Sequence, residues 1–264
     1  MQNTPKISAI IPTCDRMDYL PEAINSIRAQ TLQATEIIVV NNGKEPLPEG
    51  SLGDDVKILN LKHYVGVSAA RNAGAEAAKG NYLAFLDDDD LWDKDFLNHL
   101  THKLKAEKAH CAVADIYFFN EATKPYLHSS FANTATEKNF RKKILIKNHG
   151  FGGANFIILK KAFNEVNKFD EDLKYGEDRV FACKLLFNEY SIVGGKKARY
   201  YARTHKNPRL TNAGKPELNK NCFKDRMQSY YKLKQWMTFW QKIEYITKCC
   251  VKITKYRIKS IFGL

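Results

Sequence analysis

The chain predicts an α/β fold, a doubly wound and mostly parallel sheet of Rossmann-like type with a C-terminal helical appendage. Three observations carry that expectation. Apolar runs of strand length alternate with helix-length stretches through roughly the first 120 residues. Four consecutive aspartates, Asp87 to Asp90, follow directly on one such run, Tyr82-Leu83-Ala84-Phe85-Leu86. A basic amphipathic stretch begins at Gln241, after the alternation has ended.

Taken in order, 6–11 reads as a buried strand, 18–30 as a helix, and 36–40 and 56–61 as further strands. A small-residue helix over 68–79 leads to the strand 82–86, a helix over 94–108 and a strand over 111–119. The second half is less regular: a helix over 137–147, the turn Gly150-Phe151-Gly152-Gly153, a strand over 154–159, an acidic stretch from Phe169 opening a helix to about Glu189, and a strand over 199–204. The expected organisation is one domain over 1–215, in two halves 1–120 and 121–215, followed by a helical tail over 216–264.

In doubly wound sheets ligands bind beyond the carboxyl ends of the strands. The strand ends here carry Pro12-Thr13-Cys14-Asp15-Arg16, Asn41-Asn42-Gly43 and the aspartate cluster, so polar groups converge on one edge. Carboxylates so close repel one another unless they flare into water or share a hard cation such as Mg²⁺ or Mn²⁺. Asp87 and Asp89, at alternate positions, are placed to share one ion. An acidic N-cap and turn before the next helix is the alternative.

Charge is unevenly distributed. Residues 1–140 carry 14 Lys+Arg against 19 Asp+Glu, whereas residues 141–264 carry 28 against 10. The basic half calls for an anionic partner: nucleic acid, an anionic membrane or a phosphorylated substrate. No nucleic-acid-binding motif accompanies the charge, so no nucleic-acid partner is expected. The six cysteines form no C-x-x-C pair or Cys/His ligand spacing, which argues against a zinc site and a disulfide framework. Neither a secretory signal nor an apolar run of membrane-spanning length is apparent, so a cytoplasmic protein is expected.

Four motifs in order, Ser8-Ala9-Ile10-Ile11-Pro12-Thr13-Cys14-Asp15-Arg16, Gly66-Val67-Ser68-Ala69-Ala70-Arg71-Asn72-Ala73-Gly74, Leu86-Asp87-Asp88-Asp89-Asp90-Leu91-Trp92 and Gly176-Glu177-Asp178, resemble those of family 2 glycosyltransferases. The resemblance covers roughly residues 6 to 205. It implies a GT-A fold with residues 1–120 as the nucleotide-binding half and 121–215 as the acceptor half, a UDP-linked nucleotide-diphospho-sugar donor, a divalent cation (Mn²⁺ or Mg²⁺) and an inverting displacement.

Carried over residue by residue, Pro12, Thr13, Asp15 and Arg16 resemble the loop against nucleobase and ribose, and Arg71 the arginine near base and diphosphate. Asp87 and Asp89 match the D-x-D positions that reach ribose and metal, with Asp88 between them among the donor-binding residues. Asp178 matches the proposed base, with Glu177 as its neighbour. The chain departs from the family at the end of the second strand, where Asn41-Asn42 stands in place of a frequent aspartate; an amide oxygen accepts the same base N–H without charge.

His205 reads either as a third metal ligand on a closing loop or as a surface histidine in a basic loop, and Arg203, Lys206 and Arg209 as phosphate partners or solvated charge. Gly150–Gly153 reads as turn geometry or acceptor-site backbone, Trp92 as packing or sugar stacking, and Asp170, Glu171 and Asp172 as capping residues of the next helix.

In the tail, Lys248, Lys252, Lys255 and Lys259 recur at i, i+4, i+7, i+11, with Ile243, Ile246, Cys250, Ile253 and Ile261 near the opposite side, which Arg257 interrupts. Such a helix lies on an anionic membrane or docks on its own core, with Trp236, Phe239 and Trp240 serving either. If membrane-bound, its removal is expected to leave the chemistry untouched. The resulting expectation is a transferase peripheral to the cytoplasmic face of the membrane that extends a glycan or glycolipid acceptor of the cell envelope, such as lipopolysaccharide, lipooligosaccharide or capsule. A non-catalytic nucleotide-sugar-binding relative and a sugar-phosphate nucleotidylyltransferase are the alternatives; the glycine-rich opening loop of the latter is absent.

Overall fold

A computed structural model describes residues 5–62, 64–120, 122–137, 139–204 and 216–262, with 216–223, 225 and 252–262 described by backbone only. Among the described residues one nine-stranded sheet runs in the order β3 (Val56–Asn60), β2 (Glu36–Asn41), β1 (Ile7–Thr13), β4 (Tyr82–Phe85), β8 (Phe156–Leu159), β6 (Cys111–Asn120), β9 (Ile192–Arg203), β5 (Leu91–Trp92), with β7 (Thr123–Ser129) also paired to β6. The first half is β1 (Ile7–Thr13), α1 (Leu20–Arg28), β2 (Glu36–Asn41), β3 (Val56–Asn60), α2 (Val67–Ala77) and β4 (Tyr82–Phe85), all four strands being parallel. Every residue of β1 is buried, as a strand covered on both faces requires. Helix α1 buries Leu20, Ala23, Ile24 and Ile27, a single stripe at helical spacing. Helix α2 approaches the sheet closely because Gly74 has no β-carbon; one there would run into Ile10 and Val40.

The second half turns the sheet over. After β5 (Leu91–Trp92) and α3 (Phe96–Ala106) come β6 (Cys111–Asn120), β7 (Thr123–Ser129), α4 (Phe131–Ala135), α5 (Phe140–Ile144), β8 (Phe156–Leu159), α6 (Lys160–Glu165), α7 (Glu177–Phe187) and β9 (Ile192–Arg203). Strand β8 is antiparallel to both β4 and β6, while β9 is parallel to β6. Helix α8 (Pro216–Leu233) and helix α9 (Phe239–Phe262) come last.

The expectations differ from the structure in several places. The helix expected over 137–147 is shorter, α5 over Phe140–Ile144, because Asn139 just before it is left-handed at a φ of 68°. Strand β9 starts at Ile192 rather than 199, because a bulge against Ala114 and Asp115 breaks its pattern. Strand β7 is absent from the sequence pattern because it is an exposed edge carrying Pro125, with no buried face to impose alternation. Helix α7 begins at Glu177, so Asp170, Glu171 and Asp172 lie before its first turn instead of capping it. Asp170 pairs with Lys232 of α8 at 2.9 Å, and Glu171 accepts from Asn72 of α2.

Candidate active site

Parallel pairing of β1 with β4 brings their carboxyl ends to one edge. There Thr13 Oγ1 donates to Asp88 Oδ2 at 2.8 Å, and Arg16 Nη1 donates to Asp89 Oδ2 at 2.8 Å while lying 3.6 Å from Asp88. Burial pushes the Asp88 carboxyl up to about 7. Asp90 accepts from Tyr200 Oη and from the Arg203 backbone N–H, bolting the turn to β9. Arg203 also donates to the Asp89 carbonyl and to Glu22, and lies over the rings of Tyr19 and Phe119. It is therefore a buried clamp on the aspartate turn. Trp92 stacks on Phe96 with ring centroids 4.6 Å apart and is 3% exposed, a packing contact.

Next to this cluster, Arg71 is buried and bridges two carboxylates. Its Nη2 is 2.6 Å from Asp87 Oδ1 and its Nη1 3.4 Å from Glu177 Oε1, while its guanidinium lies over Phe169. A β-carbon at Gly153 would overlap that guanidinium, so the glycine makes room for Arg71. Gly150, at φ 90°, serves the turn. Burial and the adjacent Asp178 push Glu177 up to about 7. Asp178, also raised by burial, accepts from Asn148 Nδ2 at 2.9 Å and from the Arg179 N–H at 2.6 Å. Asn148 closes its own turn through Phe151, which fixes its orientation toward Asp178.

The remaining donor-side residues lie in the first two loops. Pro12 is buried in β1 beside Val40. Asp15, at φ 53°, accepts from the Lys44 N–H and ties the first loop to the second. Asn41 spends its amide on the Glu45 carbonyl, Asn60 and the Gly43 N–H, and Asn42 accepts from the Val65 N–H. Both are buried hinges of the loops, and the charge-free acceptor role expected of them competes with these bonds.

Asp87 pairs with Arg71 and Asp89 with Arg16, and among the described residues no three His, Cys, Asp or Glu side chains are grouped to hold a metal ion. His205 lies outside the described residues, as do Lys206 and Arg209. The carboxylate oxygens of Asp87 and Asp89 are nonetheless the donor type that Mg²⁺ and Mn²⁺ take, and the Asp87 side chain is 36% exposed. A cavity of about 720 Å³ among His99, His102, Lys103, Gly194, Lys196 and Lys197 involves none of these groups.

The tail is more than an appendage. Tyr245 and Cys249 of α9 are buried, and Arg179 of α7 donates to Tyr245 Oη at 2.6 Å. Cys250, expected on the apolar face with Ile243 and Ile246, is exposed like them, whereas Phe239 and Trp240 are 68% and 75% exposed. Truncation would thus strip a buried arginine of one of the two acceptors of its side chain, and this part of α9 is docked on the core, as one of the two readings of the tail has it. Among the described residues no helix is long and apolar enough to cross a membrane.

Neither Asn148 nor Arg179 stands out in the sequence. Asn148 lies 30 residues from its partner, and only the neighbouring glycines hint at a built turn.

The family model described as glycosyl transferase family 2 matches residues 8–166. GlyA of Streptococcus pneumoniae is 29% identical over 76% of this chain, which spans only 31% of that protein. An uncharacterised glycosyltransferase of Rickettsia prowazekii is 30% identical over 78% of this chain and 68% of its own length. The GalNAc(5)-diNAcBac-PP-undecaprenol beta-1,3-glucosyltransferase of Campylobacter jejuni is 30% identical over 75% of this chain and 64% of its own. Among solved structures, S. aureus TarS 1-349 with UDP-GlcNAc superposes with a TM-score of 0.65 at 19% identity, over 86% of this chain and 66% of that one. GalNAc-T7 with UDP, GalNAc and Mn²⁺ gives 0.65 at 16% identity, over 88% and 48%. The fold is GT-A, the nucleotidylyltransferase reading is set aside, and the chain belongs to glycosyl transferase family 2.

Proposed function

We propose that the protein moves a sugar from a UDP-sugar to a hydroxyl of a cell-envelope glycan, such as lipopolysaccharide, lipooligosaccharide or capsule, with inversion at the anomeric carbon and with Mg²⁺ or Mn²⁺. The observation that carries this reading is the Arg71 bridge, which sets the aspartate cluster beside the Glu177-Asp178 pair. TarS in complex with UDP-GlcNAc and the undecaprenol-linked substrate in the name of the Campylobacter relative support the donor and acceptor classes.

Asp89, Asp87 and His205 are the residues that would hold the cation, which when bound neutralises charge developing on the departing diphosphate. Arg71 and Arg16 add fixed positive charge on the same side, already paired to carboxylates and so held in place. Pro12, Thr13 and Asp15 line the nucleoside side. Asp178 takes the acceptor proton as attack occurs, a step typically contributing about 10²–10⁴-fold. Its raised affinity for protons makes it a stronger base than a solvated aspartate, and Asn148 aims it. Glu177 keeps Arg71 between the two groups.

The exposed Phe239, Trp240, Ile243 and Ile246 on basic α9 support contact with an anionic bilayer, giving a peripheral protein on the cytoplasmic face. A panel of UDP-sugars and other nucleotide sugars, assayed for metal-dependent nucleotide release and for protection against thermal unfolding, tests the reading. Protection by UDP-sugars with metal-dependent release is expected. Protection without release under any metal would point to a non-catalytic relative, and no response to any nucleotide sugar would overturn the assignment.

A further inference from the structure

Arg179 directly succeeds the candidate base and is 8% exposed. Its Nη1 donates to the Ile146 carbonyl at 3.0 Å, its Nη2 donates to Tyr245 Oη at 2.6 Å, and its guanidinium lies 5.1 Å from the centroid of the Tyr245 ring. Tyr245 is itself fixed, because its hydroxyl donates to the Arg226 carbonyl of α8 at 3.1 Å. The loop that begins at Ile146 is the one that presents Asn148 to Asp178. It is thus held twice, by Arg179 at Ile146 and by Asp178 at Asn148. Since Arg179 Nε is buried without a hydrogen-bond partner, this cation depends on few contacts, and Tyr245 supplies two of them.

We propose that Tyr245, on the C-terminal helix, is a positioning residue for Asp178, acting through Arg179 and the loop that carries Asn148. The proposal rests on the assignment of Asp178 as base. Losing the Tyr245 hydroxyl leaves a buried guanidinium N–H without an acceptor, so Arg179 shifts to find another and the loop shifts with it. The charged groups facing Asp178 are Glu177 and Arg179 on its own helix and Arg71 on α2, with Cys183 one turn on and Tyr245 beyond Arg179. Arg179 favours the ionised carboxylate, so its withdrawal raises the pH at which Asp178 loses its proton.

The test uses the full chain, labelled at aspartate carboxyl carbons, with Asp178→Asn to assign the signal. In Tyr245→Phe the Asp178 titration midpoint should move up by about half a pH unit or more. Turnover, read as UDP release from whichever UDP-sugar protects the protein, should fall roughly tenfold with donor KM unchanged. Arg179→Lys should do the same, and the double variant should do no more than either single one. An unmoved midpoint, or a loss of turnover that tracks thermal stability alone, would overturn the proposal. Near-parental transfer by Asp178→Asn would remove the base assignment itself; an inactive Asp178→Asn beside a parental Tyr245→Phe would remove only the positioning role.

Discussion

Arg71 Nη1 stands 3.4 Å from Glu177 Oε1, although 106 residues separate them. The same guanidinium holds Asp87 on its other nitrogen, so one buried cation joins the strand-end cluster to the first turn of α7. The two carboxylate groups share this cation, and changes on one side are felt on the other.

Replacing Arg71 with methionine removes that cation and leaves Glu177 in a buried site. Breaking a buried pair costs about 3–5 kcal/mol, and the partial exposure of Asp87 lowers the expected loss to about 2–3 kcal/mol. The denaturant midpoint at pH 8 should fall accordingly, and affinity for the UDP-sugar should drop with it. Unchanged values of both would show that the bridge contributes nothing.

Stability should also depend on Glu177 with a definite sign. Its carboxyl is raised from 4.5 to about 7 in the folded protein, so the native state binds more protons than the unfolded chain between those pH values. The contribution is present below about pH 4.5 and is lost as pH rises through 7, with a slope of up to about 1.4 kcal/mol per pH unit. Glu177→Gln should flatten that part of the stability profile. A parallel profile in the variant would place the titration elsewhere.

For the metal, Asp89→Ala should abolish the Mn²⁺-dependent part of UDP binding measured by calorimetry while the far-ultraviolet dichroism stays parental. Arg16, released from Asp89, leaves some metal-independent nucleotide affinity. Equal affinity in variant and parent, with and without chelator, counts against Asp89 as a ligand.

At the base, Asp178→Asn keeps an oxygen that accepts from Asn148 but cannot take a proton. Donor KM should stay within about twofold while turnover falls about 10²-fold or more. Substantial transfer by this variant would send the role to Glu177.

On the tail, the buried and exposed sides of α9 should separate in experiment. Trp240→Glu combined with Ile243→Glu changes only exposed positions, so thermal stability should hold while binding to anionic vesicles falls several-fold. Added salt should weaken the parent's binding as screening shortens from about 10 Å at 0.1 M. Parental vesicle binding by the double variant would leave the basic charge of the second half in search of another partner.

Local composition was enough for much of this protein. The apolar runs of β1 and β4 dictate buried parallel strands, and the residues immediately C-terminal to each run must lie at the strand's carboxyl end, so Thr13 and the aspartates were legible as one edge. Helix α2 was legible from its small residues. Which cation each aspartate meets was not. Arg16, Arg71 and Arg203 come from three distant elements, and their pairing with Asp89, Asp87 and Glu22 is fixed by packing in three dimensions. The shortened helix before Asn148, the bulged β9 and the docking of Tyr245 on Arg179 escaped for the same reason. Periodicity reports which side of an element is apolar, since that depends on backbone geometry alone. Which buried partner a polar group finds depends on long-range contacts, whose energy exists only once the chain has closed on itself.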